Sequence, residues 1–381
     1  MNPPGDPRTD VAKRSASGAS FGPVAIGRYS AGSRFRCLDA VRGAAILWIV
    51  CFHLLNDRTA GMIPFFTALV KLGRLGVPVF FLVSGFALSA AAQRVLMGEK
   101  SPWDFFKDRL KRIYGPLFFS LVFAGFILPL AMQAAVLVLE GRSDSFFYSY
   151  GVLDWLSLIT LARVFYPAEG GLNRAFLPIN GVLWFVAVLV QMYAVIFLAL
   201  LNRSRYFLSL CIVTAAWACA FFLPEGSLPR GFFLPCWGFF FLGVLQFYSP
   251  GYPLLCSAGA VAIGTFVSLK MRLDEGLFLM GVFFVLMGLR SKDDVISANP
   301  ILRAGSWVGG FAYSLYLLHV PLDDWVTTVM FSWSPLPALA TDCLLIIPSI
   351  VLICFAWSQV FEKPFMRSNL RVQPHPRRNE R

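Results

Sequence analysis

Charged residues are scarce in this chain. Asp, Glu, Lys and Arg make up only 14% of its 381 residues, and histidine occurs three times. Soluble domains carry about a quarter charged residues, so this scarcity argues against a soluble protein. Apolar residues instead reach 57%, and the mean hydropathy is +0.67. Because they form runs of about 20 residues, the length that a helix needs to cross a bilayer, we predict an all-α, polytopic membrane protein.

Cysteine spacing that would suit a metal ion or a redox pair is also missing. The eight cysteines lie in or beside apolar runs and are interpreted as free thiols, so we expect no bound metal. The sequence shows no cleavable signal peptide, no internal repeat and no soluble catalytic domain. Any chemistry is therefore expected within the membrane domain.

The apolar runs predict about ten transmembrane helices in one membrane domain, residues 35–367. The segment 152–166 is too short to span a bilayer and is interpreted as an interfacial helix. The polar, basic tails at 1–34 and 368–381 are expected to lie in the cytoplasm, the first of them disordered. The predicted helices lie near residues 37–56, 72–92, 115–137, 179–201, 207–223, 231–247, 254–270, 276–290, 306–323 and 338–360.

Basic residues are unevenly distributed among the predicted loops. The net charge of +12 would suit nucleic-acid binding, but 23 of the 33 Lys and Arg residues fall on one side of the predicted membrane. Loops rich in Lys and Arg face the cytoplasm. An even number of spans then places both termini in the cytoplasm, and no nucleic-acid partner is expected.

The first predicted helix contains ionisable side chains at helical spacing. Arg42 and His53 are eleven residues apart, which places them on one face about 16 Å apart, and Asp39 precedes Arg42 by one turn. Charges in hydrocarbon are costly, so such residues are functional candidates by default. Neutral His53 would accept a proton near pH 7, and Arg42, held by Asp39, could orient an anion or a carbonyl oxygen. A buried ion pair beside a packed histidine is the structural alternative.

Two further segments contain candidate binding residues. Ser84 and Gly85, followed by Phe86, permit close approach of a ligand, although simple helix packing would use small residues equally. Arg109 and Arg112 are three residues apart, so both could reach one anionic ligand such as a nucleotide-bearing donor. Basic residues are also expected at that membrane boundary for topological reasons.

Five motifs, in order, resemble those of the acyltransferase-3 family of integral membrane O-acyltransferases. Together they cover about residues 35–367. The motifs are Leu38-Asp39-Ala-Val-Arg42-Gly43 with His53, Gly76-Val-Pro-Val-Phe-Phe-Leu-Val-Ser84-Gly85-Phe86, Arg109-Leu-Lys-Arg112 before Pro116, Tyr313-Ser-Leu-Tyr316-Leu-Leu-His319-Val-Pro321, and Phe361-Glu362-Lys363-Pro364-Phe365.

The resemblance implies a role for each group of residues. It implies a general base, His53, that takes a proton from the acceptor hydroxyl, with the motif partners Arg42 and Asp39. It implies an acyl-CoA donor, acetyl-CoA by expectation, held by Arg109 and Arg112 beside a cavity lined by Ser84, Gly85 and Phe86. On the acceptor side it implies Tyr316, His319 and Trp184. The acceptor would be a cell-surface carbohydrate or lipid-linked sugar, and the protein would lie among lipids of the bacterial inner membrane.

One position departs from the family pattern. Many members carry a Glu in the middle of the chain where this sequence has Leu189, although Trp184, Gln191 and Tyr193 fit. This chain supplies no carboxylate there, which can signal another acceptor or acyl group.

A transporter or flippase that uses Arg42 and His53 as a relay is a competing hypothesis, but it predicts inverted repeats that the sequence lacks. A non-enzymatic scaffold would leave the polar face of the first helix unexplained.

Overall fold

The computed structural model describes residues 36–366, apart from 57–63, 142–144, 148, 167–175, 177–178, 225, 230, 290–297 and 334–336. Helices and connecting turns account for all of this part of the chain, with no strand in it. The all-α prediction is thereby confirmed. The predictions for the tails at 1–34 and 368–381 lie outside the described residues.

The main helices are numbered α1 to α12 in chain order. They are α1 (Arg36–Leu55), α2 (Pro64–Leu96), α3 (Pro102–Val122, continued by a π-helical turn, Phe123–Ile127, into Leu128–Glu140), α4 (Val152–Ile159), α5 (Leu183–Leu201), α6 (Tyr206–Ala220), α7 (Trp237–Tyr248), α8 (Pro253–Lys270), α9 (Leu273–Leu289), α10 (Pro300–Gly309), α11 (Ala312–Trp333) and α12 (Ala338–Met366).

Six of these helices are long and apolar enough to cross a membrane by length and composition. They are α1, α2, α3, α5, α8 and α12, counted over the described residues. The chain is therefore a multi-pass membrane protein. The total of ten spans and the cytoplasmic location of the termini stay predictions.

Two predicted helix boundaries are wrong. The third helix begins at Pro102 rather than near residue 115, because the Ser101 hydroxyl accepts the Asp104 N–H at 3.0 Å and proline suits a first helical position. Pro116 therefore lies inside this helix rather than at its start. The helix predicted at 306–323 is two helices, which separate after Gly309, where the N–H of Gly310 closes the final turn of α10.

The α1 helix is held in backbone contact with α10 by glycines. A Cβ on Gly43 would lie 1.9 Å from the Gly305 carbonyl oxygen, and a Cβ on Gly309 would lie 1.8 Å from that of Asp39. Only glycine permits this approach without a shift of the helices. The crossing fixes the end of α1 that carries Asp39 and Arg42.

The segment predicted as interfacial is a short amphipathic helix, α4, followed by a 3-10 turn, Ala162–Phe165. Val152 and Leu153 are each 77% exposed. Arg163 donates to the Asp154 carboxylate at 2.7 Å, and this hydrogen bond holds the pKa of Asp154 below its usual value. The exposed apolar face and the ion pair fit a helix at the membrane surface.

Candidate active site

Three arginines from two helices converge at one end of α1. Arg42 donates to Asp39 at 3.3 Å, as expected from their spacing. Arg42 also interacts electrostatically with Arg112 of α3, and Arg112 in turn interacts with Arg109. Tyr193 of α5 lies within electrostatic range of all three guanidinium groups. We call Arg42, Arg109 and Arg112 the arginine cluster.

Further carboxylates lie near the arginine cluster. Glu362 of α12 is 5% exposed and accepts hydrogen bonds from the Ser314 N–H, at 3.1 Å, and from the Ser314 hydroxyl. It lies within electrostatic range of Arg42 and Arg112. Asp108 lies within electrostatic range of Arg109 and also pairs with Lys100, so three carboxylates, with Asp39 and Glu362, lie near the arginine cluster.

The arginine cluster also has an unsatisfied hydrogen-bond donor. The Nε–H of Arg109 is buried and has no acceptor among the described residues. Buried donors are normally paired, so an unpaired one calls for an explanation such as a missing ligand. The guanidinium groups and this free donor both suit an anionic ligand, as the phosphates of a coenzyme A donor would be.

Two histidines meet at the other end of α1. The ring centres of His53 and His319 are 5.2 Å apart. His53 is exposed, whereas His319 of α11 is completely buried behind it. The sequence does not reveal this pairing, because the two positions are 266 residues apart in the numbering. We call His53 and His319 the histidine pair.

Aromatic residues from α11 and α5 pack in a row that begins at His319. The Tyr316 ring centre lies 5.8 Å from that of His319, and the Tyr316 hydroxyl donates to the Val182 carbonyl at 2.7 Å. Phe185 packs against Tyr316 at 5.1 Å, and the half-buried Trp184 precedes it. Of the predicted acceptor-side residues, Tyr316 thus lies beside His319, and Trp184 is linked to them only through Phe185.

The polar face of α1 is interrupted between its two ends. Ile46 is 0% exposed and Ile49 is 1% exposed, so packed side chains separate the arginine cluster from the histidine pair. Eleven residues of helix place Arg42 and His53 about 16 Å apart along the axis. The two predicted catalytic residues therefore lie at opposite ends of one helix, not in mutual contact.

The predicted cavity-lining residues of α2 lie against α7. A Cβ on Gly85 would lie 2.0 Å from the Phe240 carbonyl oxygen, and the Phe86 ring centre is 5.5 Å from that of Phe247. Ser84 is half-buried. Helix packing thus accounts for the glycine, and contact of these three residues with a donor stays a prediction.

A large apolar cavity lies on the opposite face of α1. Its volume is about 510 Å³, and neither the arginine cluster nor the histidine pair contributes to its wall. Because α1 separates it from His53, this cavity is not where the predicted base would meet a donor. It is lined by Val41, Ala44, Ala45, Trp48, Cys51, Leu55, Phe66, Leu69, Val70, Val79, Phe278 and Val282.

Comparison with known families decides the broad chemistry. The acyltransferase-3 family model, described as an acyltransferase domain, matches residues 35–361. The chain belongs to the acyltransferase-3 family. No curated protein and no solved structure gives a significant match. The match includes α1 to α11 and most of α12, so both the arginine cluster and the histidine pair lie within the acyltransferase domain.

Two residues near the arginine cluster, Glu362 and Tyr193, are not among the predicted site residues. Glu362 belongs to the last family motif and faces the arginines, whereas its neighbour Lys363 bonds to Gln359. Tyr193 was noted only as a family match. The sequence feature that points to Tyr193 is its place in the mid-chain family motif with Trp184 and Gln191. Leu189, where many members carry Glu, is 6% exposed and packs in the core.

No metal site is found in the described part of the acyltransferase domain, where no three His, Cys, Asp or Glu side chains lie close enough to share an ion. Its eight cysteines are all free thiols. The residues described above supply proton-accepting and anion-binding groups.

Proposed function

We propose that this acyltransferase is an O-acyltransferase that moves a short acyl group, acetyl by expectation, from cytoplasmic acyl-CoA to a hydroxyl of a cell-surface carbohydrate or glycolipid. Family membership supports acyl transfer. The observation that carries the finer proposal is the separation of an anion-binding cluster and a histidine pair along one membrane helix.

The arginine cluster suits the phosphate groups of the donor. Arg109 and Arg112 would bind them through charge-assisted hydrogen bonds, and the free Nε–H of Arg109 would gain an acceptor. The thioester would then lie about 16 Å away, beside His53, at the far end of an extended pantetheine arm. Ile46 and Ile49 are buried between the arginine cluster and His53, so α1 must move away from the neighbouring helices at these two residues when the donor binds.

His53 is placed for general base catalysis. Its imidazole would take the proton of the acceptor hydroxyl while that oxygen attacks the thioester carbonyl. The carbon–sulfur bond then breaks, and the proton held by His53 passes to the departing sulfur, which leaves as free CoA thiol. Exposure of His53 at the end of α1 gives an acceptor access to it.

The acceptor-binding side is proposed from the positions of the aromatic and histidine rings. A sugar could stack on the exposed ring of His53 and on the half-buried Trp184, whereas the ring of Tyr316 is buried and would act only through its neighbours. In the proposed topology the end of α1 that carries His53 faces the outer side of the bacterial inner membrane. The donor and the acceptor would then approach the site from opposite sides of the membrane.

The proposal is tested with purified protein in lipid nanodiscs and acetyl-CoA labelled in the acetyl group. We expect the labelled acetyl group to appear on an added glycan or lipid-linked sugar, together with free CoA thiol. Slow hydrolysis would release it as acetate. Proteoliposomes loaded with the same sugar serve as the comparison. Movement of the sugar across the bilayer with no loss of acetyl-CoA would instead support a transporter and contradict the proposal.

A further inference from the structure

The hydrogen bonds of His319 fix which of its ring nitrogens carries the proton. Nδ1 lies 3.0 Å from the Leu315 carbonyl oxygen and 2.9 Å from that of Tyr316. A carbonyl oxygen can only accept, so Nδ1 must be the donor. In a neutral imidazole the other nitrogen, Nε2, is then an acceptor with a free lone pair.

Nε2 of His319 is buried and has no hydrogen-bond partner in the described part of the chain. A charged ring would leave an N–H without an acceptor in this fully buried position, so the neutral ring fits better. A buried acceptor without a donor is equally unusual in a folded protein. The hydrogen-bond donor to Nε2 must therefore come from another side chain that moves or from a ligand.

The nearest polar ring to His319 outside its own helix is that of His53. The two ring centres are 5.2 Å apart and the planes are inclined by 55°, and Phe52 packs edge-on against His53 from the same helix. Rotation about the side-chain bonds of the exposed His53 can bring one of its N–H groups to Nε2. Its other ring nitrogen would then be the unprotonated one and would face the acceptor hydroxyl.

We propose that His319 is a positioning residue: its Nε2 accepts an N–H of His53 and fixes the tautomer in which His53 presents a free lone pair to the acceptor hydroxyl. This proposal rests on the proposed function. It resembles the way in which a hydrogen-bonded partner holds a catalytic histidine in the tautomer needed for proton transfer. Here the partner is a neutral ring whose own tautomer is set by the backbone of α11.

Two substitutions of similar size separate positioning from packing. His319→Asn keeps a side-chain N–H for the backbone carbonyls but has no acceptor at the Nε2 position. His319→Gln offers an oxygen near that position but loses the backbone contact. We expect kcat to fall roughly 10- to 100-fold in His319→Asn, with little change in KM for acetyl-CoA, and His319→Gln to restore part of it.

The ranking of the two variants decides the outcome. A purely structural role predicts the reverse order, in which His319→Asn is the more active variant and the loss of activity in each variant follows its loss of thermal stability. This result would overturn the proposal. Wild-type activity in His319→Asn would do the same. If the wild-type protein itself transfers no acyl group, the proposed function fails first, so the two failures are distinguishable.

A spectroscopic measurement on the unmutated pair does not depend on whether these variants fold. Protein labelled with ¹⁵N-histidine and carrying His375→Ala leaves only His53 and His319 visible. We expect His319 to show the Nδ1–H tautomer and His53 to show a single neutral tautomer. A His53 signal averaged between its two tautomers would contradict the proposal.

Discussion

At the scale of single residues, Arg109 and Arg112 offer the clearest separation of binding from chemistry. Each would hold the donor through charge-assisted hydrogen bonds, which contribute about 1.5–3 kcal/mol apiece. We expect Arg109→Gln and Arg112→Gln to weaken CoA binding and raise KM for acetyl-CoA by about tenfold to a hundredfold, with a much smaller effect on kcat. Calorimetry with CoA and steady-state kinetics measure the two quantities.

A matched control is available for this prediction. Arg205→Gln removes the same charge from an exposed loop position between α5 and α6, and it should leave CoA binding unchanged. Arg109→Lys should also weaken binding, because lysine keeps the charge but lacks the Nε–H. Equal CoA affinity in the wild-type protein and both Gln variants would remove the arginine cluster as the donor site.

The sequence predicts which residues share one face of a helix, but not which distant residues meet. Asp39, Arg42 and His53 share a face of α1 as their spacing requires, since helical geometry is local. The contribution of Glu362 and the pairing of His53 with His319 depend on contacts between distant parts of the chain. Spacing along one helix contains no information about such contacts.

At the scale of helices, the crossing of α1 and α10 should be sensitive to a single methyl group. Gly309→Ala would place a Cβ 1.8 Å from the Asp39 carbonyl oxygen, so we expect a loss of about 1–3 kcal/mol of stability from overpacking. Gly281→Ala in α9 is the matched control. Its Cβ would meet nothing within 4 Å, so it should be neutral or stabilise the helix by up to about 1 kcal/mol.

Thermal unfolding of the two variants in detergent measures this difference. A lower unfolding temperature for Gly309→Ala than for Gly281→Ala is expected, together with reduced activity because Asp39 and Arg42 are displaced. Equal unfolding temperatures would show that α1 and α10 do not approach as closely as the structure indicates.

Most helices could be located from the sequence, and their ends could not. The apolar runs located α1, α5, α8 and the other long helices because bilayer thickness sets their length. The start of α3 was missed because Pro102 and Ser101 lie in a charged stretch, where a cap outweighs the low hydropathy. Hydropathy alone also merges α10 with α11, because the turn at Gly310 contains no charged residue to interrupt the apolar run.

At the scale of the whole molecule, the proposed topology puts the two ends of α1 on opposite sides of the membrane. The proposed topology places both termini, and with them the arginine cluster, on the side that carries 23 of the 33 basic residues. The histidine pair then lies toward the opposite side. This arrangement lets a cytoplasmic donor and an external acceptor meet without either one crossing the membrane.

The most direct test of the account is the kinetics of His53→Ala with labelled acetyl-CoA. Because His53 would act on the acceptor proton and not on the donor phosphates, we expect kcat to fall about 10²- to 10⁴-fold while the affinity for CoA stays that of the wild type. His375→Ala, the same change in the C-terminal tail, should keep full activity. Acyl transfer at the wild-type rate by folded His53→Ala protein would contradict the account.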